Sequence, residues 1–251
     1  IDSKFGFALE TGEAMEAVKM AISCPNINLK GVHCHIGSQI FSINPFVEAA
    51  EVMLKFIADI KNETGHEVVE LNLGGGFGIK YTENDDPVPY EAYMEKVACN
   101  QTMQRYVETA SQGMEKVSAA VKESCEKLGI KQPFILIEPG RSMAGPAGIT
   151  LYTCGGIKNI PNIRTYVSID GGMTDNPRYA LYQSEYEAIV ANKADKPRNT
   201  KVTIAGKCCE SGDLIGEGMS LQEAEPGDII AVCATGAYNY SMSSNYNRIP
   251  K

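Results

Sequence analysis

Six short stretches offer side chains or open backbone capable of chemistry. "EPGR" holds a carboxylate, Glu138, and a guanidinium, Arg141, with Gly140 leaving the backbone open between them. Arg suits two-pronged recognition of an oxyanion. Glu138 closes an apolar run, so it needs a cationic or hydrogen-bonding partner; a Glu–Arg ion pair at a rim would satisfy it as well as a ligand would. "LNLGGGFG" sets three glycines after an alternating apolar stretch. Such a turn leaves N–H groups open to a phosphate, though a tight structural turn accounts for the glycines equally. The dinucleotide spacing fails, because Gly74 and Gly76 are followed by Ile79, and the P-loop pattern is absent. "HCHIGSQ" puts His33 and His35 on one face of a strand. The pair could ligate a metal or simply pack, and His66 is the third and last histidine. Ser38 behind Gly37 could donate to an oxyanion.

"GKCCESGD" sets Cys208 and Cys209 beside Glu210 and Asp213. Neighbouring carboxylates raise a thiol's pKa, which suits a proton donor better than a thiolate nucleophile; an ordinary turn with an incidental cysteine is the plainer account. "NPRYALY" places Arg178 and Tyr182 four residues apart, on one face if helical, where they could hold a carboxylate. "ATGAYNYSMSSNYN" adds Tyr238 behind a Gly-Ala turn.

The elements that must position these turns follow from periodicity. A helix is predicted from Thr11 to Ser23 with Thr11 as its cap. A strong amphipathic helix is predicted to open on Asn44-Pro45 and close at Gly65, and a long one from about Tyr90 to Leu128. Strands are predicted in "NLKGVHCHIG", "EVVELNLGGG" and "PFILIEPGR", the last one buried. Alternation of this kind predicts a parallel sheet or a β/α barrel, whose functional turns follow the strands' C-terminal ends. Beyond Gly145-Pro146 the texture changes to short strands, "GITLYTCGGIK", "RTYVSIDGG", "KVTIAGKCC" and "GDIIAVCATGAY", between Gly, Pro and Asp turns. That pattern predicts an antiparallel β domain, with the boundary near 146.

Bulk properties narrow the classes. The 251 residues allow one large α/β domain or a medium one plus a smaller one. A formal charge of −8, from 31 acidic and 23 basic residues, argues against a nucleic-acid surface. No run approaches the ~20 apolar residues of a membrane span. Eight cysteines without a C-x-x-C pair read as reduced thiols in the cytoplasm. The first residue is Ile1 rather than Met.

In this order, "GVHCHIGSQ", "LNLGGGFG", "EPGRS", "DGGMTDNPRYALY", "CCESGD" and "TGAYNYSMSSNYN" closely resemble the diaminopimelate decarboxylase family, pyridoxal-phosphate enzymes of the alanine-racemase-like fold. The resemblance runs from "KFGF" to the last residues. It implies the C-terminal part of a (β/α)8 barrel over 1–146, followed by an antiparallel β domain over 147–251. It also implies a cofactor, pyridoxal 5'-phosphate, and decarboxylation of meso-2,6-diaminopimelate to L-lysine and CO2. His35 is then expected to stack on the cofactor ring, with Ser38, Gly75, Gly76, Gly140 and Arg141 around its phosphate and Glu138 at its pyridine nitrogen. Arg141, Arg178 and Tyr182 are expected on the substrate's distal carboxylate and Glu210 on its distal ammonium. Cys209 is expected to return a proton to the substrate carbon, and Tyr238 to touch cofactor and substrate. Cys209 and Glu210 would serve the partner's site in a homodimer. No metal, nucleic acid or membrane is implied.

Two features depart from the family. The lysine that carries the cofactor belongs to an earlier barrel strand, and its motif is absent around Lys4, Lys19, Lys30 and the later lysines. The span from "GGGFG" to "EPGR" is about one repeat too long, and "MEKV" recurs at 94–97 and 114–117. The expectation is a segment of a longer enzyme, with an insertion around 98–117. An arginine, ornithine or carboxynorspermidine decarboxylase is the alternative, although "CES" with "RYALY" speaks against it. A non-catalytic fragment of the same fold is the other.

Overall fold

The structure, a computed structural model, describes residues 4–85 and 116–250. The first "MEKV", half of the second, and nearly all of the stretch 98–117 lie outside the described residues. Compactness divides the chain into two units: residues 4–76 with 116–139, and residues 77–85 with 140–250. That division falls after Pro139, whereas the change in composition falls near 146.

The first unit holds three parallel strands in the order β1-β2-β3: β1 (Gly31–His33), β2 (Glu70–Asn72) and β3 (Phe134–Leu136). Helix α1 (Glu13–Ser23) precedes the sheet, and α2 (Asn44–Thr64) is the crossover between β1 and β2. Pro45 sits in the first turn of α2, where its missing N–H costs nothing, and Gly65 ends the helix with φ 73° and its N–H on the Lys61 carbonyl. The stripe Phe46, Ala50, Met53, Leu54, Ile57, Ala58 is the buried face, at the spacing a helix requires. Residues 116–128 are helical and bury Val117, Val121 and Cys125.

Three expectations need correction here. Thr11 does not cap α1; Gly12 takes that position at φ 84°, a left-handed conformation glycine adopts without strain, and no side chain caps the helix. β1 ends at His33, so His35 lies in the turn that follows. β3 is not buried: Phe134 is 78% and Leu136 40% exposed. Both point to the same face, and among the described residues β3 is bonded on one side only.

The second unit is a six-stranded sheet, order β6-β9-β4-β5-β7-β8. Its strands are β4 (Thr150–Ile160), β5 (Arg164–Ile169), β6 (Ala188–Val190), β7 (Thr200–Ala205), β8 (Leu214–Leu221) and β9 (Ile229–Val232). The core gathers Val167, Ile204, Ile215, Leu221, Ile230 and Val232 with Ile79 and Tyr81. The sheet is mixed rather than antiparallel, because β5 and β7 run parallel, with Tyr166 opposite Thr203. The connection between them is long enough for the crossover that a parallel pair needs, and it contains β6 and the short helix Arg178–Tyr182. β8 escaped sequence reading because "LIGEGMSL" is broken by two glycines. Gly216 faces Ile204, where the β7–β8 register shifts, so the glycine marks an irregular ladder rather than a turn.

Candidate active site

In the first unit the turns after the three strands meet. Glu138 N–H donates to the Gly74 carbonyl, 2.8 Å, and Ile40 N–H to that of Gly76, 2.9 Å. A Cβ on Gly74 would stand 2.6 Å from the Cys34 carbonyl oxygen; one on Gly75 would overlap that of Glu138, and one on Gly76 that of Gly37. The glycines therefore let three strand ends approach one another, a role the sequence alone left undecided. Their N–H groups are also less bare than expected. Gly74 N–H donates to Asn72 Oδ1 at 2.8 Å, and Gly75 N–H to His35 Nδ1 at 3.3 Å, a long bond. With Nδ1 accepting, a neutral His35 ring carries its proton on Nε2.

Glu138 sits at the open end of β3, its side chain 56% exposed rather than buried. Oε1 accepts from Asn72 Nδ2 at 2.9 Å and lies 3.6 Å from His33 Nε2. Oε2 has no partner among the described residues, so one acceptor remains for a ligand. Among the described residues no group of three or more His, Cys, Asp and Glu is arranged to hold a metal ion. His66 Nε2 instead meets the Leu29 carbonyl at 2.9 Å.

In the second unit the two arginines gather aromatic rings. Helix Arg178–Tyr182 puts the Arg178 guanidinium 5.6 Å from the Tyr182 ring, as the i,i+4 spacing predicted. Arg141 lies 4.7 Å from the Tyr238 ring and 5.7 Å from that of Tyr81; Arg178 lies 5.4 Å and 5.9 Å from the same two rings. Arg178 is only 7% exposed. Its Nη2 meets Ser184 Oγ at 3.3 Å; among the described residues its Nε has no hydrogen-bond partner and no carboxylate pairs with it. The side-chain N–H groups of Asn176 and Asn239, both buried, are also unpartnered among the described residues. A buried cation without a counter-ion is costly, and among the described residues none is supplied to Arg178, so an arriving anion would offset that cost. Tyr186 packs edge-on against Tyr81 at 5.1 Å; its burial pushes the phenol up to about 12.

The "CCESGD" loop separates its acids. Asp213 is buried and turned inward, accepting from Met173 N–H at 2.5 Å and Cys208 N–H at 2.7 Å. Burial first, then the Asp213 charge, pushes the Cys208 thiol up. Cys209 and Glu210 face solvent. The Gly212 N–H at 3.2 Å, and then the Tyr246 hydroxyl at 3.0 Å, hold Glu210 below the usual carboxylate range. Sequence reading missed Asn72, Tyr81, Tyr186, Asn239 and Tyr246. Of these only Asn72, a polar residue closing an apolar strand before the glycines, carried a local signal.

Taken separately, each group has chemistry that suits a pyridoxal phosphate: in the first unit a carboxylate beside an imidazole, in the second guanidinium donors. Residues 1–145 match the family model described as "Pyridoxal-dependent decarboxylase, pyridoxal binding domain".

The chain belongs to the pyridoxal-dependent decarboxylases.

The cofactor the sequence implied is the one that names this family. The chain is 47% identical over 250 residues to the diaminopimelate decarboxylases of Bacillus methanolicus and Bacillus subtilis (strain 168), covering 100% of this chain and 53% and 52% of theirs. It thus spans about half the length of the curated relatives it matches. The crystal structure of a diaminopimelate decarboxylase from M. jannaschii superposes with a TM-score of 0.76 at 35% identity, over 98% of this chain and 50% of that one. A lysine/ornithine decarboxylase from Vibrio vulnificus complexed with cadaverine, 22% identical with a TM-score of 0.73, shares the fold. The α/β architecture is that of these decarboxylases. No helix among the described residues is long and apolar enough to cross a membrane.

Proposed function

We propose that this protein decarboxylates meso-2,6-diaminopimelate to L-lysine and CO2, with pyridoxal 5'-phosphate as cofactor. One observation carries the reading: a buried arginine, Arg178, that has no carboxylate partner among the described residues, in a family whose 47%-identical members are named diaminopimelate decarboxylases. A substrate with a second carboxylate supplies the missing counter-ion. Arginine and ornithine lack that group.

On this reading residues 1–146 are the C-terminal part of a (β/α)8 barrel and 147–251 a β domain. Glu138 would face the pyridine nitrogen and favour its protonated form, His35 would pack on the ring, and Ser38, Gly75, Gly76, Gly140 and Arg141 would receive the phosphate. The Gly75 N–H bond to His35 is long, so an anion can replace it at little cost. Once bound, the cofactor supplies an electron sink for the pair left on the substrate carbon as CO2 departs. Arg141, Arg178 and Tyr182 bind the distal carboxylate, and Glu210, held ionised by the Gly212 N–H and Tyr246, binds the distal ammonium. Cys209 donates a proton to the substrate carbon, and Tyr238 orients ligand and cofactor against the two guanidiniums. Exposed Cys209 and Glu210 serve a second copy's site in a homodimer of a cytoplasmic enzyme. The test is to supply the intact gene product with pyridoxal phosphate and meso-diaminopimelate, then follow CO2 release and resolve the lysine by chiral chromatography. L-lysine in equal amount to CO2 is expected. Turnover of arginine or ornithine in preference to meso-diaminopimelate refutes the assignment.

A further inference from the structure

The segment just beyond the glycine turn ends in a tyrosine that none of the assignments above uses. Tyr81 is 6% exposed, and its hydroxyl accepts from Arg141 Nη1 at 2.8 Å. Its ring lies 5.7 Å from the Arg141 guanidinium and 5.9 Å from that of Arg178. It is held from behind by the edge of Tyr186 at 5.1 Å, and Tyr186 in turn meets Asn239 Oδ1 at 3.5 Å. The loop is fixed as well: Asp85 Oδ2 accepts from Tyr81 N–H at 2.9 Å and Thr82 N–H at 2.8 Å. One buried side chain thus touches both cations, by a charge-assisted hydrogen bond to one and by its ring to each. The negative ring face offsets part of the repulsion between two like charges, and the hydroxyl fixes the plane of the Arg141 fork, on which two-pronged carboxylate recognition depends.

We propose that Tyr81 is a positioning residue for carboxylate recognition, setting the Arg141 guanidinium so that it and Arg178 read one carboxylate of the ligand. The proposal rests on the diaminopimelate reading. Its effect therefore falls on ligands that carry the distal carboxylate and spares those that lack it. L-lysine and cadaverine form the matched pair, differing by that carboxylate alone.

The experiment measures calorimetric dissociation constants of L-lysine and cadaverine on the intact gene product saturated with pyridoxal phosphate, together with KM and kcat for meso-diaminopimelate. Wild type and Tyr81→Phe are compared; the variant keeps the ring and removes the hydroxyl. Wild type is expected to bind L-lysine more tightly. In Tyr81→Phe the L-lysine constant and the KM rise roughly tenfold, as loss of a hydrogen bond to a charged group implies, while cadaverine binding and kcat stay within about twofold. Asp85→Ala, which loosens the loop without touching the ring, shifts L-lysine in the same direction by roughly threefold and keeps the test open if the first variant does not fold. Equal shifts for both ligands, or none, overturn the role of Tyr81. Wild type that binds cadaverine as tightly as L-lysine overturns the diaminopimelate reading itself, and this proposal with it.

Discussion

Arg178→Met separates a binding arginine from a structural one, because the two roles predict opposite balances. Methionine roughly fills the space and removes the charge. Three tyrosine rings lie within 6 Å of the Arg178 guanidinium, and at about 0.5–1 kcal/mol each their loss costs about 2 kcal/mol. The long bond to Ser184 adds about 1 kcal/mol at most. Against this, the variant no longer holds a buried cation with an unpartnered Nε, a penalty of several kcal/mol. The terms nearly cancel, so the melting midpoint should move by less than about 5 °C. Binding has no such offset. Losing one partner of a buried charge pair costs about 2–5 kcal/mol, so KM for meso-diaminopimelate rises by roughly 30-fold or more. Differential scanning fluorimetry and steady-state kinetics on the intact gene product read the two numbers. A midpoint that collapses while the surviving enzyme keeps its KM would refute the reasoning.

Gly75→Ala forces a methyl into the Glu138 carbonyl; an overpacking cost of about 1–3 kcal/mol and weaker pyridoxal phosphate binding, read by equilibrium dialysis, are expected. Cys209→Ala should lower kcat by roughly a hundredfold or more and leave KM unchanged, as removal of a proton donor does; a raised KM at constant kcat speaks against that role. Asp228 is held below the usual carboxylate range by Lys193 first, 2.8 Å away, and then by Asn192 at 2.7 Å. A depressed folded pKa means its contribution is complete above the unfolded value of about 3.9 and disappears as pH falls through the folded one. Asp228→Asn should therefore lower the melting midpoint at pH 7, and the gap to wild type should close below pH 4.

What the sequence reveals depends on how locally each feature is written. Helix α2 is legible at both ends because Asn44-Pro45 and Gly65 act within one turn of where they stand. The Arg178–Tyr182 contact is legible because i,i+4 geometry fixes it. β8 is not, since Gly216 answers to a register shift opposite Ile204. The burial of β3 was misread because an apolar run says what a strand can bury, while its neighbours decide whether it does. The acids of "CCESGD" look equivalent in sequence; only the fold turns Asp213 inward and leaves Glu210 outside. Tyr81 carried no local signal, because the group it holds, Arg141, lies sixty residues further along the chain.

The central claim is that the anion awaited by Arg178 is the substrate's second carboxylate. Forming L-lysine from the meso compound removes the carboxyl of the D centre, so D-lysine is the same substrate without the group that Arg141 and Arg178 would bind. The ratio of kcat/KM for meso-diaminopimelate over D-lysine is the direct measure. A ratio on the order of a thousand or more is predicted, since polar sites left unpaired reject the analogue that lacks the matching group. A ratio near one would contradict the account.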